Sequence, residues 1–252
     1  MTRGDAAGAR CPEDAYTAEP FLPGPSARLA ALRRAAAECH GCPLHRDASR
    51  TVFGEGPADA RVLLVGEQPG DQEDRQGHPF VGPAGKVLTR ALDDAGIDPL
   101  VTYVTNAVKH FKFERVPERG KRRIHKAPNL RELSACKPWL AAELRAVDPE
   151  VVVALGATAG KALLGSSFRV TKQRGMLLPC PAVDGWPGGA DAAEGGEGGE
   201  GTEDGERGEG RGACLLATIH PSAVLRSDDR EGTYRGLVSD LRIAAEVLSP
   251  PG

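Results

Sequence analysis

Four short apolar runs, each ending near glycine, asparagine or histidine and each followed by a helical stretch, confine this chain to a narrow set of folds. They are Arg61–Gly66 (RVLLVG), Val101–Asn106 (VTYVTN), Glu150–Leu155 (EVVVAL) and Cys214–Ile219 (CLLATI). Their apolar residues are continuous rather than alternating, the pattern of strands covered on both faces. Helical spacing occupies the intervals. Arg28–Glu38 is Ala-rich, and Val81–Gly96 places Val87, Leu88, Ala91, Leu92 and Ala95 on one stripe. Asn129 suits the cap of a helix carrying Leu133, Cys136, Leu140 and Leu144, with Pro138 expected to kink or restart it. Ala157–Leu164 and Tyr234–Leu248 complete the set. Strand–helix alternation predicts an α/β fold, a three-layer α/β/α sandwich around a central four-stranded parallel sheet.

The chain has 252 residues, enough for one sizeable domain with tails. Residues 1–25 read as a disordered leader and 26–250 as the domain. A Gly/Glu-rich insertion at about 184–211 has almost nothing to bury and is expected to be disordered. That insertion holds nine acidic and two basic residues, so the chain's net charge of −3 conceals a remainder of +4. The opposite bias lies at Lys109–Lys126 (KHFKFERVPERGKRRIHK), with eight basic residues against two glutamates. A basic working surface fits a nucleic-acid partner that the whole-chain charge would disfavour. No run approaches the length of a membrane span, and the N-terminus has no signal-peptide pattern, so cytoplasmic residence is expected. In a reducing compartment the six cysteines are expected to be thiols or metal ligands.

In a parallel sheet the ligand site lies beyond the carboxyl ends of the strands. There the sequence places Glu67-Gln68-Pro69-Gly70-Asp71, Asn106, Gly156-Ala157-Thr158 and His220-Pro221-Ser222. On residues alone, the first of these is a substrate loop whose acids could equally be solvated. A lone histidine after a strand is more often structural than catalytic. Cys39-x-x-Cys42 with Cys136 downstream offers three thiols, a spacing open to zinc, to an iron–sulfur cluster or to unrelated buried thiols. Cys11, Cys180 and Cys214 lie in a tail, a loop and a strand and are poorer candidates.

Whole motifs are more specific. Gly66-Glu67-Gln68-Pro69-Gly70-Asp71-Gln72-Glu73-Asp74 followed by Phe80-Val81-Gly82, then Thr105-Asn106-Ala107-Val108-Lys109, then His220-Pro221-Ser222-Ala223-Val224-Leu225-Arg226 resemble, in order, the motifs of the iron–sulfur uracil-DNA glycosylases. The resemblance runs from about residue 38 to residue 248, the insertion excepted. Gln68 and the loop sequence Lys121-Arg122-Arg123-Ile124-His125 further resemble the UdgX branch, which becomes covalently trapped on uracil-containing DNA.

This resemblance implies a set of roles. Gln68, Phe80, Asn106 and His220 would bind a uracil flipped from the stack. His125 would attack the sugar in place of water, with Glu67 orienting it and Asp71 holding the loop. Lys121, Arg122, Arg123, Ser222 and Arg226 would contact DNA. Cys39, Cys42 and Cys136 would ligate a 4Fe-4S cluster, with His110 standing where the family pattern has a fourth cysteine. The expected partner is uracil-containing single-stranded DNA, the product free uracil, and the acting species a monomer that works once. A conventional glycosylase using water and a non-catalytic DNA-binding protein are the alternatives.

Overall fold

The computed structural model describes residues 16–115, 123–180 and 213–249. The four expected strands are present as β1 (Val62–Gly66), β2 (Thr102–Asn106), β5 (Val151–Leu155) and β7 (Cys214–Thr218). They pair in parallel in the order β2-β1-β5-β7. Two short strands form a separate antiparallel ribbon, β3 (Phe113–Arg115) with β4 (Arg123–His125). A further strand, β6 (Leu177–Pro179), extends the main sheet to five by pairing antiparallel with β7. The expected parallel four-strand core therefore stands, with an antiparallel edge added.

Alternate residues of each strand feed opposite layers, as a pleated strand requires. Leu63, Val65, Val152, Ala154, Leu215 and Ala217 pack under α1 (Leu29–Ala36), α4 (Leu130–Val147) and α5 (Ala157–Leu164). Val62, Leu64, Val151, Val153 and Leu216 face α3 (Pro83–Ala95) and α8 (Arg230–Leu248). Three shorter helices, α2 (Asp71–Gln76), α6 (Val170–Gln173) and α7 (Pro221–Arg226), sit in the connections.

Asn129 caps α4 through a reciprocal capping box with Glu132. The helix continues through Pro138 instead of restarting there. A proline removes one backbone bond and crowds the preceding turn, but Trp139, Leu140 and Leu144 are buried just beyond it and hold the stripe together. The ordered core also begins before the expected boundary at residue 25. Ala18 is buried, and its N–H donates to the carbonyl of Ala135. The rest of the expected leader and the acidic insertion lie outside the described residues. No helix among the described residues is long and apolar enough to cross a membrane.

Candidate active site

Pairing of β1 with β2 in register Gly66↔Asn106 brings Glu67 and Asn106 to one rim of the sheet. Two further backbone bonds, Ala107 N–H to Gly66 O and Val108 N–H to Glu67 O, fix that alignment past the strand ends. Thr158 follows β5 and His220 follows β7, so the four strand ends converge on one cleft of about 900 Å3. Glu67, Gln68, Asp71, Phe80, Asn106, His125, His220, Ser222 and Arg226 all line it.

Phe80 adopts a left-handed backbone (φ 55) that turns its ring into the cleft, where it stacks on His220 with centroids 6.2 Å apart. Two glycines permit this. A Cβ on Gly66 would lie 2.3 Å from Asn106 Oδ1 and 2.6 Å from Phe80 Cζ, and one on Gly85 would lie 1.6 Å from the Phe80 carbonyl oxygen. Asn106 is buried, with its side-chain amide turned to the cleft and bonded to none of the described residues. An amide placed so offers a donor and an acceptor together.

The Nδ1 atom of His220 accepts from the Ser222 backbone N–H at 3.1 Å. A backbone N–H can only donate, so the neutral ring carries its hydrogen on Nε2. Burial, reinforced by Arg226 and His125, pushes the His220 pKa down to about 4. The ring is therefore a neutral Nε2–H donor at pH 7.

His125 reaches the cleft from the end of β4, paired across the ribbon with Phe113. The ribbon is tied down at two places. The Gln68 side chain links its two ends, donating to Lys126 O at 2.9 Å and Lys112 O at 3.2 Å and accepting from Lys112 N–H at 3.1 Å. Its amide nitrogen also lies 2.9 Å from His125 Nε2. Arg123 lies over the Phe111 and Phe113 rings and forms ion pairs with Asp71 and Asp74, each at 2.5 Å. Burial raises the Asp71 pKa, but hydrogen bonds from Arg123 and Arg75 outweigh it, so the carboxyl titrates below the usual range.

The Arg123 side chain is 7% exposed. Its guanidinium therefore clamps the ribbon to α2 and is not presented to a phosphate as the basic run suggested. Lys121 and Arg122 lie outside the described residues. Across the cleft, Glu67 Oε1 stands 3.5 Å from His125 Nε2. The His125 side chain is 49% exposed and lines the cleft. Burial of its inner edge lowers its pKa, Glu67 raises it and Arg226 lowers it again, for a net fall below 6.5.

The cysteine set lies on the other side of the Asn106 loop. Cys39, Cys42 and Cys136 are buried free thiols. Each sulfur accepts hydrogen bonds, Cys136 from Lys109 N–H at 3.3 Å, Cys39 from Trp139 Nε1 at 3.3 Å and Cys42 from the backbone of Leu44 and His45. Burial raises the Cys42 thiol and pushes Cys136 up to about 12. His110, next in sequence to Lys109, is buried with Nε2 2.9 Å from Thr51 Oγ1. Sulfurs so furnished with donors suit metal-bound thiolates. Among the described residues no three donors stand together as the ligands of a single ion would.

Three participants carried no assignment from sequence. Thr158 Oγ1 donates to Glu67 Oε2. Glu73, buried between Gly70 and Gly82, accepts the Gly82 N–H at 2.8 Å and joins the starts of α2 and α3. Glu143 forms a fully buried ion pair with Lys109. Thr158 was placed at the strand-end rim and Glu73 within the first motif but without a role, and Glu143 had a signal of its own: it lies seven residues after Cys136 and three after Leu140, on a stripe where a charge needs a partner.

A doubly covered parallel sheet with an aromatic ring, an unpaired amide and a neutral imidazole donor at one strand-end cleft defines an α/β protein equipped to hold a flat, hydrogen-bonding ring. The family comparison makes this specific. The Uracil DNA glycosylase superfamily matches residues 53–242, and the chain belongs to it. The chain is 32% identical over 216 residues to a Type-4 uracil-DNA glycosylase of Thermotoga maritima, covering 85% of this chain and 92% of that one. It is 39% identical over 126 residues to a Type-4 uracil-DNA glycosylase of Pyrobaculum aerophilum, covering 50% and 59%. A Type-5 uracil-DNA glycosylase of the same organism is 32% identical over 142 residues, covering 48% and 58%.

Proposed function

We propose that this chain removes uracil from DNA, preferring single strands, and is then held on the abasic sugar by a bond from His125 to C1′. The observation that carries the reading is His125 Nε2. The half-exposed ring lines the cleft with this atom 3.5 Å from the Glu67 carboxylate and 2.9 Å from the Gln68 amide, on a ribbon anchored by Gln68 and Arg123.

The flipped uracil stacks on Phe80, and the Asn106 amide reads its N3–H/O4 edge. As the C1′–N1 bond breaks, its electron pair leaves with uracil. The His220 Nε2–H donates to the developing anion. The sugar becomes an oxocarbenium ion, and the neutral His125 Nε2 lone pair exchanges its contact with the Gln68 amide for the new bond to C1′. Nδ1 keeps its hydrogen, so the ring becomes an imidazolium that Glu67 stabilises. An N-alkylated imidazole leaves poorly, and the protein acts once. Ser222 and Arg226, at the cleft rim, suit contacts to the DNA strand.

The cofactor of this reading is a 4Fe-4S cluster held by Cys39, Cys42, Cys136 and His110. The buried, hydrogen-bonded thiols support it. When bound, it would supply structural cross-linking among the segment after α1, the Lys109–His110 turn and α4.

The test is a denaturing gel with a uracil-containing single-stranded oligonucleotide and parallel assay of free uracil. A heat- and denaturant-resistant shifted band with one uracil released per adduct is expected. Free uracil in molar excess with no band would favour the water-using glycosylase. Release of no uracil would leave a DNA-binding protein on the same fold.

A further inference from the structure

The geometry points to Thr158 as a positioning residue that holds Glu67 against His125. The inference rests on the reading of His125 given above. Thr158 is the second residue of α5, directly beyond β5, and its hydroxyl hydrogen goes to Glu67 Oε2. The other carboxylate oxygen, Oε1, is the one 3.5 Å from His125 Nε2. A carboxylate turns easily about its last bond, which has only broad minima. One anchored oxygen therefore decides where the other points. The start of α5 lies beside the same carboxylate. Thr158 lines the same cleft, and its hydroxyl is committed to Glu67, so its effect on His125 passes through that carboxylate.

Two consequences follow. Without the hydroxyl, Glu67 turns away, and the positive charge that forms on His125 loses part of its stabilisation. The titration of His125 moves as well. The charged and titratable groups facing it are Glu67 at the end of β1, Arg226 on α7 and His220 at the start of α7. Of these only Glu67 raises its pKa. Releasing the carboxylate must therefore lower the His125 pKa further.

The experiment compares Thr158→Val, which keeps the volume and deletes the hydroxyl, with Thr158→Ser, which restores it. Single-turnover adduct formation on the uracil oligonucleotide is followed across pH, and the His125 imidazole is titrated by NMR after assignment with a His125→Gln variant. Thr158→Val is expected to slow adduct formation about 10- to 100-fold, the loss of one charge-assisted hydrogen bond. Its acid limb and the NMR pKa of His125 should both move to lower pH, with oligonucleotide affinity unchanged. Thr158→Ser should return all three quantities to the parent values. A valine variant with the parent pKa and rate, or a serine variant as defective as valine, overturns the inference. The NMR titration decides the Thr158 question even if the parent protein forms no adduct, an outcome that would refute only the reading beneath it.

Discussion

Removing Lys109 tests whether the region behind the Asn106 loop is held by charge. Its ammonium is fully buried, paired with Glu143 and hydrogen-bonded to Thr105 Oγ1 and the Asn106 carbonyl, both at 2.7 Å. The Glu143 carboxylate also accepts from Gly54 N–H at 3.0 Å, Tyr103 OH at 3.0 Å and Thr105 Oγ1 at 2.9 Å. Breaking a buried pair from one side costs about 3–5 kcal/mol, because the other charge stays behind. Lys109→Met leaves the carboxylate three neutral donors and should fall near the lower end, about 3 kcal/mol. Glu143→Gln leaves an ammonium with only neutral acceptors, namely Thr105 Oγ1, the Asn106 carbonyl and the new amide oxygen, and should cost about 4 kcal/mol. At about 2–4 °C per kcal/mol for a domain of this size, the lysine variant should melt about 6–12 °C below the parent. The double variant strands neither charge. It should be less destabilised than the two singles added together, by about 1–3 kcal/mol. Thermal melts by circular dichroism on anaerobic protein measure all three. A single substitution costing under about 1 kcal/mol, or strict additivity in the double, would refute the reasoning.

The remaining expectations concern the cleft, the cysteines and the insertion. Because neutral His125 is the proposed nucleophile and its pKa is depressed, adduct formation should rise with pH through that value and be flat from about pH 7 to 8. Single-turnover rates measure this, and a rate still climbing across that interval would contradict it. Gly85→Ala, whose Cβ would meet the Phe80 carbonyl at 1.6 Å, should cost about 1–3 kcal/mol in stability. It should also weaken preference for uracil-containing over unmodified oligonucleotide, read by competition binding. Anaerobically prepared protein should carry about four irons per chain and absorb broadly in the visible. Cys39→Ser or Cys136→Ser should lose both, whereas one zinc with no iron would reject the cluster. Excising residues 185–210 should leave melting and uracil release intact. Its flanks already meet, with Cys180 N–H on Ala213 O at 3.1 Å, and loop length changes closure entropy by only about 0.6 kcal/mol per doubling.

What the sequence made legible follows from where the determining forces act. The four parallel strands are buried on both faces, so burial wrote a continuous apolar run at each one. β6 has no such run. Leu177 is exposed, Pro179 ends the strand, and its pairing is decided by the free edge of β7. The ribbon of β3 and β4 was equally hidden. Phe113-Glu114-Arg115 and Arg123-Ile124-His125 are too short and too charged to announce strands, and their order comes from Gln68, more than forty residues earlier. The same distance in sequence explains Arg123. A run of basic residues carries no mark of which arginine has acids waiting for it, and Asp71 and Asp74 meet it only in the folded chain. Motif order did place Glu67, Gln68, Phe80, Asn106 and His220 around the strand ends, because each sits in a contiguous loop there. The hydroxyl behind Glu67 escaped assignment because Thr158 meets its partner only through the β1–β5 pairing.

On the proposed reading, the ribbon answers the competition that a protein nucleophile faces from water. Water surrounds an oxocarbenium ion from any open side, whereas one imidazole must arrive in a single orientation. A well-oriented intramolecular group can reach an effective concentration of about 10⁵–10⁸ M, far above that of bulk water. The gain depends on the group being held before the reaction begins. A free loop ending in a histidine would lose that advantage to its own motion. Here Gln68 ties both ends of the ribbon, Arg123 joins it to α2 through two carboxylates, and Phe111 lies under the His125 ring at 6.0 Å. The ring edge facing the cleft can then stay open to the sugar while the backbone behind it is fixed. If His125 is the nucleophile, the arginine clamp favours capture over hydrolysis by fixing the ribbon from within, through a side chain that is itself almost fully enclosed.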